Sequence, residues 1–200
     1  MSFSATTFKG NLAKAGGGAR PSLYKVKISS SATGIPTLSG TEGILVKAAA
    51  LPASTIAPLA VNYAGRAYKW QGFRTYDLWN VTVINDESFS IRNKMMEWMR
   101  KISGMMDGSR KTAYGDPSIT GGTWFDGEGT VQQLGVNGIV KQSYTLYNMW
   151  PTELGEIALD WSSDAIEEYT VAFAYDYWSH GTGTSTNNTV SVGAPNFGSG

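Results

Sequence analysis

The spacing of apolar and polar positions changes period within one stretch of the chain, between Trp79 and Ile102. Trp79, Val81 and Val83 alternate with Asn80, Thr82 and Ile84, which predicts a strand with one face more apolar than the other. Beyond Asn85-Asp86-Glu87 the repeat turns helical, with Ile91, Met95, Trp98, Met99 and Ile102 three or four residues apart. A helix is predicted over residues 86–103, capped by Asn85 or Asp86, with Arg100 and Lys101 in its last turn and Gly104 beyond it. Its apolar stripe is expected to lie on a sheet.

Elsewhere the period is that of strands. Residues 22–29 set Tyr24, Val26 and Ile28 against Lys25 and Lys27, and residues 43–50 form an apolar run. Pro52 and Pro58 punctuate the next segment, since neither suits a central strand. Residues 59–63 and 67–70 flank Ala64-Gly65-Arg66 as a hairpin, and residues 130–136 and 139–148 flank Asn137-Gly138 as another. Trp150-Pro151 is expected to break the second run. Residues 156–161 and 168–178 read as a last hairpin, its second strand placing Tyr169, Val171, Phe173, Tyr175 and Tyr177 on one face. About nine strands and one helix predict a mainly β chain, an antiparallel β-sandwich or barrel with one flanking α-helix.

One β domain over residues 1–178 accounts for this pattern. Residues 1–20 read as an N-terminal arm ending in Gly16-Gly17-Gly18, and residues 104–129 as a glycine-rich loop excursion carrying Tyr114, Trp124 and Phe125. Residues 179–200 form a polar C-terminal extension. Extension and loop are too poor in apolar residues to offset their own ordering entropy, so neighbouring molecules are expected to order them, through Thr189, Val190 and Val192 in the extension.

Composition narrows the chemistry. With 200 residues and 42% hydrophobic content, the chain is long enough to bury a core without staples. Cysteine is absent and His180 is the one histidine, which excludes disulfides, thiolate sites and multi-histidine zinc sites within one chain. No apolar run approaches the roughly 20 residues of a membrane span, and none follows Met1, so neither membrane insertion nor a cleaved export signal is expected. Net charge is zero but unevenly placed: residues 1–50 hold six basic and one acidic residue, residues 151–200 seven acidic and no basic ones. Such a gradient favours self-complementary, head-to-tail association.

Catalytic signals are weak. His180 opens a polar tail, and Asp160, Asp164, Glu167 and Glu168 imitate a glycosidase pair but read as turn and strand-opening residues. Gly16-Gly17-Gly18 lacks the lysine of a phosphate loop. No enzyme, cofactor or metal site is predicted. Aromatic residues on glycine-rich loops leave a carbohydrate-binding β-sandwich module as the competing reading.

Six motifs in order carry a family resemblance: Gly17 to Tyr24 (GG-x-R-P-x-L-Y), Leu45 to Ile56 (LVKAAALPASTI), Tyr63 to Arg66 (YAGR), the WNVTVINDE strand with its following helix, Trp150 to Trp161 (WPTELGEIALDW) and Glu167 to Trp178 (EEYTVAFAYDYW). Together they resemble the tail tube proteins of contractile-tailed bacteriophages, related in plan to type VI secretion tube proteins. The resemblance implies a virion structural subunit, assembled in the host cytoplasm. By the same resemblance, six copies are expected to form a homohexameric ring, and rings to stack into a hollow tube inside a contractile sheath that penetrates the host envelope and conducts DNA. It also implies partners: further copies of the chain, the tail sheath, baseplate, tail terminator and tape-measure proteins. Double-stranded DNA is a partner only in transit. A tube of a phage-derived protein-injection device is the variant reading.

The pattern is compatible with that plan. About 24 strands at roughly 4.8 Å spacing, tilted by about 40°, close a barrel with a bore of roughly 35 to 40 Å. A conduit that does not retain DNA is expected to have a neutral or acidic lumen, with any lysine offset nearby. Contacts between copies are expected at Lys47, Leu51, Pro52, Ser54, Thr55 and Ile56, a lysine followed by a proline-punctuated apolar loop.

Overall fold

The computed structural model describes residues 4–14, 16–30, 37–38, 45–103 and 127–182. In chain order its elements are α1 (Ala5–Lys14), β1 (Tyr24–Ser30), β2 (Val46–Ala49), β3 (Thr55–Tyr63), β4 (Arg66–Thr75), β5 (Trp79–Ile84), α2 (Ser90–Ile102), β6 (Gly127–Leu134), β7 (Val140–Leu154), β8 (Glu168–Ala174) and β9 (Tyr177–Thr182). Every pairing is antiparallel. The chain is mainly β, as its alternation predicts.

Two sheets share one strand. The first runs β1-β6-β7-β9 and the second β2-β5-β8-β7, because β7 pairs with β9 through Gln142 to Tyr147 and with β8 through Trp150 to Leu154. Between those halves Asn148 takes a left-handed φ of 53°, and its side-chain amide donates to Asp176 Oδ2 at 2.7 Å. The Asp176 N–H in turn donates to the Tyr147 carbonyl at 3.1 Å. Asp176 is where the chain steps from β8 in one sheet to β9 in the other. A strand that switches sheets at a bend is how a sandwich turns its corner.

The core fills the space between the sheets and under α2. Val26, Ile28, Val131, Leu146 and Met149 meet Trp79, Val81, Val83, Tyr169, Val171 and Phe173, all buried. Helix α2 adds Ile91, Met95 and Trp98. Trp98 is fully buried, its ring 6.2 Å from Phe173, and Phe173 lies 5.7 Å from Trp79. Glycines on β6 make the seat: a Cβ on Gly127 would lie 2.6 Å from the Trp98 ring, and one on Gly129 would lie 2.8 Å from the Met149 sulfur.

Several elements depart from the sequence expectation. Helix α2 begins at Ser90 and not at residue 86, because Phe89 adopts φ 53° and residues 86–89 form a turn held by Asp86. Asp86 Oδ2 accepts from the Ser90 N–H at 3.1 Å and from the Ser88 hydroxyl. Asp86 thus anchors the helix start from four residues away. A second helix, α1, occupies the arm, none of it buried.

Strands also shift. Pro151 does not break β7, since it sits beside a bulge opposite Phe173, where a proline is tolerated. Pro58 lies in β3 beside another bulge, in a two-stranded sheet with no central strand. Residues 156–161 form no strand. The run over 168–178 is broken at Asp176, which reverses the face: Tyr175 is buried, whereas Tyr177 stacks on Tyr147 at 4.9 Å. Because β9 continues to Thr182, the boundary drawn at residue 178 cuts through a strand. The excursion likewise gives way to β6 at Gly127, and residues 104–126 lie outside the described residues.

Trp98→Ala is expected to cost about 3 to 5 kcal/mol in chemical denaturation, because the glycine seat leaves a cavity that no neighbouring Cβ fills. Asp86→Ala is expected to cost about 1 kcal/mol near neutral pH. Hydrogen bonds from Ser88 and Ser90 hold the Asp86 carboxyl well below its usual range. The folded state therefore favours the carboxylate, and this stability is present above the ordinary carboxyl pKa and lost as pH falls through the depressed one. The gap between wild type and variant should close on acidification and stay constant from pH 6 to 8.

Candidate assembly interface

Strands β3 and β4 form a ribbon that, among the described residues, stands apart from both sheets and makes substantial contact only within itself. The register explains its chemistry. Leu59 faces Trp70 and Val61 faces Tyr68 on one side, while Ala60 faces Lys69 and Pro58 faces Gln71 on the other. One side of the ribbon is therefore apolar, and it is open: Leu59, Val61, Tyr63, Tyr68 and Trp70 are all exposed. Phe73, beside the bulge, is 92% exposed. The tight turn at Ala64-Gly65 has φ values of 50° and 77°, the left-handed pair of a two-residue hairpin. A bare two-stranded hairpin is marginal in water, so this ribbon requires a surface to lie against.

The ribbon is rooted by the segment in which the sequence expectation placed contacts. Trp79 Nε1 donates to the Ala50 carbonyl at 2.8 Å, and Tyr175 and Trp178 both donate to the Ala53 carbonyl at 3.4 Å. Pro52 is buried there, and Ser54 accepts from Arg74 at 3.1 Å. Leu51, Thr55 and Ile56 are exposed. Lys47 stands in β2 and pairs with Glu168 at 2.6 Å, while its carbonyl accepts from the Tyr24 hydroxyl. Burial raises the Tyr24 pKa. Thr189, Val190 and Val192 lie outside the described residues.

The first sheet has two unlike faces. Val26, Gly129, Val131 and Leu146 point into the core, and the opposite face carries Lys25, Lys27, Ser29, Glu128, Thr130, Gln132, Ser143 and Thr145 in register. Hydroxyl and amide groups dominate that outer face. Its edges are β1, which among the described residues carries only the bridge of Ile28 to Leu38, and β9.

Residues 155–167 link β7 to β8 and form a second exposed apolar surface. Leu159 and Ile166 are largely exposed, and Trp161 is fully so. The loop is anchored at both ends: Gly155 N–H donates to the Thr170 carbonyl at 2.7 Å, Arg92 donates to the Gly155 carbonyl at 3.0 Å, and Asn85 donates to Glu167 at 2.8 Å. Arg92 also lies over the Tyr169 ring at 5.0 Å. Burial pushes the Tyr169 hydroxyl up to about 12.

The carboxylates considered for catalysis are distributed among other tasks. Glu168 pairs with Lys47, Glu167 accepts from Asn85, and Asp160 accepts from the Ser162 N–H and hydroxyl, which lowers its pKa. His180 packs against Tyr144 and Trp178. Among the described residues no group of three acidic or histidine side chains could hold a metal ion.

A subunit whose stability lies in one core and whose apolar surplus lies on a projecting ribbon has the build of a structural protein. Residues 19–181 match the family model described as phage tail tube protein, and the chain belongs to that family. It is not an enzyme. It is 31% identical over 164 residues to the tail tube protein gp19 of Enterobacteria phage T4, covering 80% of this chain and 90% of that protein. To the tail tube protein of Serratia phage KSP90 it is 25% identical over 175 residues, covering 84% and 92%.

Solved structures agree on the fold. A chain of the 6-fold symmetrised anti-feeding prophage baseplate superimposes with a TM-score of 0.58 at 10% identity, covering 80% of this chain and 93% of that one. A chain of the sheath-tube complex of an extracellular contractile injection system, in its extended state, gives 0.52 at 12%, covering 90% and 99%. Family membership sets the carbohydrate-binding reading aside.

The ribbon is the surface that sequence reasoning missed. Its signal was present in the facing apolar residues of the hairpin over 59–70, but alternation alone does not tell a buried face from an unpartnered one. Because the ribbon touches little of the core, Tyr68→Ser with Trp70→Ser is expected to change subunit stability by about 0.5 kcal/mol or less. The same double variant should lower self-association sharply in sedimentation velocity.

Proposed function

We propose that this chain is the tube subunit of a contractile phage tail, forming six-membered rings that stack into a hollow conduit for DNA. The observation that carries the reading is the first sheet, with one buried apolar face, one hydrophilic face and two lateral edges, β1 and β9. Edges of this kind are paired or covered in stable proteins, and joining β9 of one copy to β1 of the next does so. Four strands from each of six copies make a barrel of about 24, wide enough for duplex DNA. The hydroxyl and amide face then lines the bore. On that wall Lys25 and Lys27 stand with Glu128, which offsets part of their charge.

The β3–β4 ribbon, with Leu51, Thr55 and Ile56 at its exposed root, supplies contact between copies in this reading, and Lys47, Pro52 and Ser54 hold that root in place. The extension beyond Thr182, with Thr189, Val190 and Val192, is proposed to be ordered by the same neighbours. Sheath, baseplate, terminator and tape-measure proteins are the further partners, and assembly takes place in the host cytoplasm before incorporation into the virion. Likeness to extracellular injection systems supports the variant in which the bore carries protein.

Negative-stain microscopy of the purified chain is expected to show sixfold rings and stacked tubes. A monomer that persists at high concentration in sedimentation would refute the ring. Raising salt from about 0.05 to 1 M should shorten the tubes if the charge gradient acts between copies.

A further inference from the structure

Two features of the subunit lack partners among the described residues and complement each other. The first is α1, ten residues long, with Ala5, Phe8 and Leu12 on one face and Lys9 bordering it. Phe8 and Leu12 are exposed, no residue of the helix is buried, and it contains no acidic side chain. A helix this short is marginal in water without a surface to pack on. It ends in a glycine hinge: Gly17 N–H donates to the Leu12 carbonyl at 2.9 Å, and Gly16, Gly17 and Gly18 all take φ between 80° and 84°.

The second is the loop over residues 155–167. It frames a concavity of about 690 Å³ whose walls include Ile157, Ala158, Leu159, Trp161 and Ile166. Its rim is acidic. Of the carboxylates that line it, Glu167 and Glu168 are already partnered within the chain, while Asp160 pairs with no basic side chain among the described residues; Glu156 and Asp164 belong to the same loop. Nothing basic follows Lys141 in the sequence except His180. The Ser162 hydrogen bonds to Asp160 favour its ionised form, so the rim keeps its charge.

We infer that α1 of one copy docks on the 155–167 loop of a neighbouring copy, with Phe8 and Leu12 entering the concavity and Lys9 meeting its acidic rim. The interface is heterologous, one knob and one hole on every subunit, so each copy that is captured also captures another. It gives a location to the positive start and negative end of the chain. Burial of Phe8, Leu12, Leu159 and Trp161 removes apolar surface that the isolated subunit leaves in water. The inference rests on the proposed assembly of like subunits for its occupant, a second copy of this chain.

The test uses the absence of cysteine. Full-length Thr7→Cys and Ala158→Cys proteins, neither altering an anchor, are mixed and treated with a short bis-maleimide. A heterodimer at least about fivefold more abundant than in a Val136→Cys plus Ala158→Cys control is expected. Cross-link yield at the control level overturns the docking, as does closure within one chain when both cysteines are on the same molecule. Charge reversal gives an independent reading: Lys9→Glu and Asp160→Lys should each raise the concentration at half assembly roughly fivefold, and the two proteins mixed should recover it. No recovery in the mixture also overturns the pairing. Microscopy of the same samples separates the two readings. Tubes without the cross-link sink the docking alone, absence of tubes sinks the ring, and the cross-link measured in solution still decides the docking.

Discussion

The seat of Trp98 is the constraint on which the rest of the subunit depends. An indole of this size fits under α2 only because β6 presents Gly127 where another residue would present a side chain, and Gly129 two residues on leaves the same kind of room for Met149 and Trp79. That arrangement brings the helix down onto the corner strand β7 and places the Trp98 ring beside Phe173 in β8. One side chain thereby ties together the helix and a residue from each side of the shared strand. Glycine in a strand interior ordinarily weakens it, by entropy and by lost packing. Here the missing volume is filled by a larger group from another element, and the loss in strand propensity is offset by burial of an aromatic ring.

With the core settled in this way, the periphery is free to be sticky. Exposed apolar side chains are concentrated on the β3–β4 ribbon and the 155–167 loop, while the outer face of the first sheet is hydroxyl, amide and charge. A monomeric protein would carry these patches as an aggregation liability. Their confinement to projecting segments rooted by side-chain hydrogen bonds to the backbone carbonyls of Ala50, Ala53 and Gly155 means that association need not disturb the folded body.

The sequence was most informative where one side chain pattern served one environment. Alternation identified β1, β5, β8 and the two hairpins, and the helical repeat of Ile91, Met95 and Trp98 found the buried face of α2, because each of these segments keeps the same surroundings along its length. It failed where a strand changes surroundings midway. The run over 168–178 alternates without interruption, yet Asp176 turns it from one sheet to another, a turn fixed by the distant Asn148 and Tyr147 and invisible locally. Pro151 and Pro58 misled for a related reason: whether a proline breaks a strand depends on the bulge beside it, which the partner strand decides. The segment at residues 47–56, where the sequence expectation puts contacts, roots the ribbon, while the exposed apolar face lies farther along the chain. Exposure is a property of the tertiary arrangement.

The corner strand also bears on how the subunit carries load. Because β7 is one unbroken backbone through both sheets, pulling them apart along its length does not slide one layer over the other. It loads the ladders to β6, β8 and β9 in shear, where many hydrogen bonds must yield together, whereas peeling would release them one after another. The weak direction is then perpendicular to β7, at the free edges of the sheets. A wall built from such units is stiff within each unit and compliant at its seams.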